Sequence, residues 1–275
     1  MESTWLEMGI PAMSQRDDRS SQLSVGKMNR SGHGLMLFLL ISLLFLPISC
    51  KSDSRSAETD SSRDEYTLLR QRMVEQQIDA RGVRDQRVLE VMRRVPRHLF
   101  VPAAERDHAY EDHPLSIGLG QTISQPYIVG LMSELMQLKG SERVLEIGAG
   151  SGYQAAVLSG LAAEVYTIEI VRELAERAER ILTELGCKNV RVRWGDGYAG
   201  WPEKAPFAAI MVTAAADHIP QKLIDQLEMG GRLVIPVGNV FQELLLCIKT
   251  PAGLTQKSIA PVLFVPMTGK IREEK

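Results

Sequence analysis

The 275-residue chain lacks the marks of several common functions. Lysine plus arginine number 32 against 34 aspartate plus glutamate, so there is no basic excess to neutralise a phosphate backbone. Aromatic residues are 5% of the chain, too few for a base-stacking platform. Nucleic acid is therefore not an expected partner. Cys50, Cys187 and Cys247 stand far apart and form neither a disulfide framework nor a zinc spacing. His98, His108, His113 and His218 fall in different segments without ligand spacing, so no metal is expected. No Ser/His/Asp arrangement is visible, and no internal repeat. The apolar run over 35–48, about 14 residues, falls short of the roughly 20 that a membrane-spanning helix needs.

What is present centres on Val144-Leu145-Glu146-Ile147-Gly148-Ala149-Gly150-Ser151-Gly152-Tyr153. An apolar run ends in an acid and three alternate glycines, and helix-compatible residues follow. That pattern is strand, tight turn, helix. Glycines let a ligand lie against the main chain, and the helix start offers unpaired N–H groups. The spacing is not the dinucleotide G-x-G-x-x-G, because Tyr153 stands where the last glycine belongs. No Gly-Lys-Ser/Thr follows, which excludes a P-loop. A second run, Glu164 to Glu169, ends in an acid about 20 residues past the glycines, placed to accept ribose hydroxyls. With Glu146 it makes an acidic pocket that suits a cationic ligand without a pyrophosphate, such as S-adenosylmethionine. An ordinary βα turn of another α/β protein is the alternative.

The chain divides into three. Residues 1–50 form an N-terminal extension. In it Met28-Asn29-Arg30, the apolar run and Ser49-Cys50 follow the order of a secretory signal. Leu46-Pro47-Ile48-Ser49-Cys50 resembles a bacterial lipoprotein cleavage site, with Cys50 as the lipid-bearing residue and Pro47 as a departure. An uncleaved anchor or a later start is the alternative. Residues 51–63 read as a disordered linker. Residues 64–275 read as one domain, with 64–140 a helical cap and substrate loop and 141–275 a cofactor-binding sheet. In the cap, Asp85 is expected to cap a helix that Pro96 ends, and Pro126 to open another after an irregular loop. In the sheet, strands are expected at 190–194 and 207–213. A helix should run from Pro220 to Gly230-Gly231, then a strand at 233–235. Late strands at 242–250 and 259–265 should pair by a hairpin. Strand and helix alternate through the middle, which implies a parallel sheet wrapped by helices with an antiparallel late edge. Cys187 and Cys247 are expected to be small buried residues, and Trp194 and Trp201 core or ligand-side packing. Arg191 and Arg193 alternate as on a wet strand face.

Several segments together resemble the protein-L-isoaspartate O-methyltransferase family. The most specific is Gly120-Gln121-Thr122-Ile123-Ser124-Gln125-Pro126-Tyr127; Arg97 through Pro102, Val144 through Ala156, Gly195-Asp196-Gly197, Val212 through Ala215 and Gly230 through Gly238 follow in order. The likeness runs from about 66 to 268. It implies a doubly wound, mostly parallel seven-stranded Rossmann-like methyltransferase sheet with antiparallel late strands and an N-terminal helical cap. It implies transfer of a methyl group from S-adenosylmethionine to the α-carboxylate of isoaspartyl residues in damaged proteins. By this resemblance Gly148, Gly150, Gly152, Glu169, Asp196 and Gly197 hold the cofactor, joined by Glu146 from the pocket reading. Ser124 is the catalytic candidate, and Thr122, Ser124 and Tyr127 are the substrate candidates. Ala208 and Ala216 depart from the family pattern, which has aspartate and proline there. Two rival readings are a methyltransferase with another acceptor and a lipid-anchored binding protein that keeps only the fold. The cofactor points to the cytoplasm and the segment 28–50 to export or anchoring; the chain is expected to be a cytoplasmic monomer, touching membrane only through that segment.

Overall fold

The computed structural model describes residues 65–269. The expected signal segment, Cys50 and the linker 51–63 lie outside them.

A helix at 65–73 (α1) tightens into a π turn, Val74–Ile78, and a 3-10 turn, Asp79–Arg81. Helix α2, Gln86–Arg94, starts as expected: the Asp85 carboxylate accepts from the Arg87 N–H at 2.9 Å. It buries Val88, Leu89, Val91 and Met92, and Pro96 follows its end. The stretch read as an irregular loop contains an antiparallel hairpin, β1 (Leu115–Gly118) and β2 (Gln121–Ile123). Pro126 then sits at the start of α3, Pro126–Leu135.

The remaining chain builds one seven-stranded sheet from β3 (Arg143–Ile147), β4 (Glu164–Glu169), β5 (Val190–Trp194), β6 (Phe207–Val212), β7 (Leu227–Val237), β8 (Gln242–Thr250) and β9 (Gly253–Val262). Helices α4 (Tyr153–Ser159), α5 (Arg172–Glu184) and α6 (Gln221–Asp225) connect the parallel strands. The strand order is β5-β4-β3-β6-β7-β8-β9, with the last two pairings antiparallel. This is the expected fold. The central strands read as continuous apolar runs because both their faces are covered. Val144, Val165, Ala209, Met211 and Val234 belong to one core, while Leu145, Ile168, Ile210, Val212 and Leu233 belong to the other. The order reverses between β3 and β6, and their carboxyl ends open the crevice where open α/β sheets bind ligands.

Four further expectations need correction. Helix α6 stops at Asp225, and Gly230-Gly231 lie inside β7. Phe207 N–H already donates to Gln226 O at 2.9 Å, which pulls the chain into the sheet early. Gly230, at φ 82°, then lets the strand carry an irregularity between the Phe207↔Leu227 and Ala209↔Arg232 pairs, and Ala208 sits at this step. Strand β9 begins at Gly253, because Thr250 and Gly253 close the hairpin directly, and ends at Val262. Trp194 is 59% exposed, and its ring N–H donates to Ile170 O; Trp201 packs edge-on to Tyr166 as expected. Cys247 is buried, which pushes its thiol up to about 11, whereas Cys187 is only half-buried. At Ala216 the departure from the family pattern has a use: its N–H donates to Pro236 O at 3.0 Å, a bond proline would lack.

Candidate active site

At the carboxyl ends of β3 and β4 the backbone doubles back through Gly148, Gly150 and Gly152. The amides of Gly148 and Ala149 donate to Ile168 O, at 2.8 and 3.2 Å. The Gly150 N–H donates to Glu169 Oε2 at 2.8 Å, and the Val171 N–H to Oε1 at 2.9 Å. Each Glu169 oxygen so keeps lone-pair capacity for a ligand hydroxyl. Gly148 has no alternative residue: its φ is 97°, and a Cβ there would overlap Thr213 Oγ1. Thr213 closes the turn from β6, its N–H donating to Ile147 O at 2.9 Å and its hydroxyl lying 2.6 Å from Gly148 O.

These atoms wall a cleft of about 580 Å³. Among the described residues on its lining, Glu169 is the one ionisable side chain. Ile147, Ile168, Ile170 and Met267 supply apolar surface, and Gly197 faces it from the loop after β5. Asp196 caps that loop by accepting from the Tyr198 N–H at 2.9 Å. The far wall comes from residues 265–268 beyond β9. That strap is fixed where Ala215 N–H donates to Val265 O at 2.8 Å and Met267 N–H to Ala215 O at 2.7 Å.

A second, wider groove of about 1080 Å³ shares Thr122, Thr213 and Val265 with the first and adds Ser124 and Gln125. A smaller recess between them is lined by Thr122, Ser124, Gly148, Gly150 and Thr213. The segment carrying Thr122 and Ser124 is held from beneath by Arg97, which is completely buried. Its Nε donates to Ala109 O and its Nη2 to Ser124 O, both at 2.7 Å. The guanidinium lies 4.9 Å from the Tyr153 ring, and burial lowers its pKa to about 10, so it stays a cation at neutral pH.

The structure thus brings Gly148, Gly150, Glu169, Gly197, Thr122 and Ser124 together. Gly152 supports the turn from behind against Ala178 of α5. Glu146 lies behind the wall, fully buried, with neither oxygen hydrogen-bonded. Burial pushes its pKa up to about 8; nearby Thr167 opposes the shift and the Glu169 charge adds to it. Tyr127 lines neither cleft; it lies under the Arg81 guanidinium at 3.6 Å, and Arg81 is paired with Asp112. Thr213, the strap 265–268 and the Arg97 bridge were not singled out from the sequence as site residues. Thr213 and Arg97 lay inside the recognised segments, whereas the strap had no local signal. Among the described residues no group of ligands could hold a metal ion.

The family model for protein-L-isoaspartate(D-aspartate) O-methyltransferase (PCMT) matches residues 69–272. The chain belongs to this family. It is 52% identical to protein-L-isoaspartate O-methyltransferase 2 of Shewanella sediminis over 238 residues, covering 86% of this chain and 96% of that one. It is 56% identical to the Gloeobacter violaceus protein-L-isoaspartate O-methyltransferase over 204 residues, covering 74% and 100%. A solved protein-L-isoaspartate O-methyltransferase superposes with a TM-score of 0.66 at 31% identity, over 75% of this chain and 66% of that one. A Plasmodium falciparum structure, titled as a protein of this family in complex with S-adenosyl-L-homocysteine, shares the fold with a TM-score of 0.64 at 24% identity, over 72% and 98%. As a protein-L-isoaspartate O-methyltransferase, the chain is a repair enzyme that methylates isoaspartyl residues of damaged proteins from S-adenosylmethionine. The first cleft fits that cofactor: among its described lining residues the Glu169 carboxylate has no cation beside it and suits a positively charged ligand, and the Cβ-free turn leaves room against the backbone.

Proposed function

We propose that the first cleft holds S-adenosylmethionine and that Ser124 aims the isoaspartyl carboxylate from the adjoining groove. What supports this most is the position of Thr122 and Ser124, on the segment that borders both the glycine turn and the groove. Glu169 would take the ribose hydroxyls, the isoleucines and Gly197 the adenine side, and Gly148 and Gly150 the main-chain face of the cofactor. When bound, the cofactor supplies an electrophilic methyl group on a positively charged sulfur. A carboxyl group of pKa about 4 is already ionised at neutral pH. It needs no general base, which agrees with the lack of a triad in the sequence. The chain's work is placement, which can lower a barrier by up to roughly 7–11 kcal/mol. Ser124 donates its hydroxyl proton in a hydrogen bond and is not a nucleophile; Thr122 shapes the junction.

The test uses the full chain with labelled S-adenosylmethionine and two peptides, one isoaspartyl and its normal aspartyl twin. Label is expected on the isoaspartyl peptide alone. In Ser124→Ala, kcat should fall at least tenfold, the loss of about one hydrogen bond to a charged group, while the cofactor Kd stays within twofold. Unchanged turnover would remove Ser124 from this role. The enzyme acts in this reading as a monomer in the cytoplasm, where its cofactor is made. No helix among the described residues is long and apolar enough to cross a membrane. Fractionation of cells against a lipoprotein marker tests the location.

A further inference from the structure

Among the described residues, none that lines the substrate groove is ionisable. An isoaspartyl polypeptide meets no lysine or arginine on this described lining. Thr122 and Ser124 can receive the carboxylate, whereas the Thr213 hydroxyl donates to Gly148 O, and most of the remaining wall is apolar. Affinity for the rest of the substrate must come from apolar contact.

One edge of this groove is Leu263, which is 86% exposed. The antiparallel register pairs Gln242 with Val262. The Gln242 side chain then clasps the chain beyond β9: its Nε2 donates to Phe264 O at 3.0 Å, and Phe264 N–H donates to its Oε1 at 2.6 Å. With the register, this brings the end of the turn before β8 level with Leu263. That turn carries Val240 and Phe241, 80% and 90% exposed. It is not loose. Gly238, at φ 127°, packs so closely on the Phe241 carbonyl that a Cβ would overlap it, and its N–H donates to Ala216 O at 2.9 Å. Single exposed apolar residues are ordinary, but the register that pairs Gln242 with Val262 brings Val240 and Phe241 to the same end of the β8–β9 pair as Leu263, at the edge of the groove, and three large exposed apolar residues so placed mark an interaction surface.

We propose that Val240, Phe241 and Leu263 form a landing surface for an apolar side chain of the substrate polypeptide close to the isoaspartyl residue. This rests on the assignment of the groove as the substrate site. The occupant is a flexible or unfolded segment, because a folded substrate keeps such side chains inside. The enzyme so favours damage in segments that expose their apolar residues.

The experiment compares a serine-flanked isoaspartyl peptide with a set in which one leucine replaces each flanking serine in turn, using the full chain. For at least one leucine position kcat/KM should exceed the parent value about tenfold, equivalent to roughly half-burying one leucine. In Val240→Ser/Phe241→Ser that ratio should fall below twofold, and in Phe241→Gln alone it should fall part of the way. Ratios within one protein cancel any loss of active enzyme, and the single variant serves if the double one fails to fold. A wild-type ratio below twofold at every position, or a preference retained in both variants, overturns the proposal. So does a lower molar mass of the double variant by light scattering, which would assign the surface to a second copy of this chain. Label on the serine parent shows the active site at work in each case; its absence in the wild type would tell against the groove assignment instead.

Discussion

Replacing Arg97 with methionine removes one buried cation and keeps most of its aliphatic volume. Two hydrogen bonds to carbonyls are lost, at Ala109 and Ser124, each 2.7 Å long. Bonds from a charged donor contribute about 1.5–3 kcal/mol each. Both carbonyls then need new partners in a buried place, so a loss of about 3–5 kcal/mol is expected. For a domain of this size that lowers Tm by roughly 6–20 °C. The second consequence is catalytic. Ala109 and Ser124 bracket the hairpin β1–β2, and Arg97 fixes where Ser124 stands. Measured well below the variant's Tm, kcat should drop about tenfold or more for a small displacement of Ser124, whereas the cofactor Kd should hold, since the glycine turn is untouched. Arg97→Lys keeps the charge but cannot span both carbonyls, so it should recover Tm more than kcat. A variant with lowered Tm and wild-type kcat would refute the positioning argument; an unchanged Tm would refute the energetic one.

Further outcomes follow from the same geometry. Gly148→Ala places a Cβ on Thr213 Oγ1 at φ 97°, where the left-handed backbone alone costs about 1–2 kcal/mol. Calorimetry should show cofactor affinity weakened at least tenfold, with partial recovery in Gly148→Ala/Thr213→Ala; no weakening would contradict the cradle. Glu146 holds its proton in the folded state up to about pH 8, whereas in the unfolded chain it ionises near its ordinary value of 4.5. Its contribution to stability is thus lost as pH rises from about 4.5 to 8. Tm curves should show Glu146→Gln gaining on the wild type through that window, and a constant difference would contradict the buried neutral carboxyl. His98 acts with the opposite sign. Burial first, then Arg70 and Arg106, lower its pKa to about 4, and its Nδ1 pairs with the Tyr110 hydroxyl at 2.7 Å. Stability from the neutral ring is lost as pH falls from about 6.5 towards 4, and His98→Asn should flatten that limb of the Tm profile.

The parts of the site that were legible in the sequence are those set by local backbone needs. The alternate glycines of 148–152 and the acid ending β4 follow from strand periodicity and turn chemistry, and so do the Asp85 cap and Pro126 at a helix start. The parts that were not legible depend on contacts far apart in the chain. Thr213 meets Gly148 across the sheet, and the strap reaches Ala215 after two antiparallel strands. The Arg97 bridge likewise needs two carbonyls whose positions no propensity reports. Helix α6 was read too long because paired glycines look like a helix stop, and here they form an irregular strand. The hairpin β1–β2 was missed because each strand is too short to show alternation, and Gly118, Leu119 and Gly120 all take positive φ between them.

Val265 and its neighbours wall both the cleft proposed for the cofactor and the groove proposed for the substrate. Two sites that share a partition cannot be independent when the partition shifts. If filling one cleft changes the strap's equilibrium position by a given coupling free energy, the affinity of the other changes by the same factor, and the relation runs equally in reverse. Against such a shift stand two backbone hydrogen bonds to Ala215, the Gln242 clasp on neighbouring Phe264 and the burial of Met267. The strap is thus the element through which cofactor exchange and release of the methylated polypeptide would sense one another.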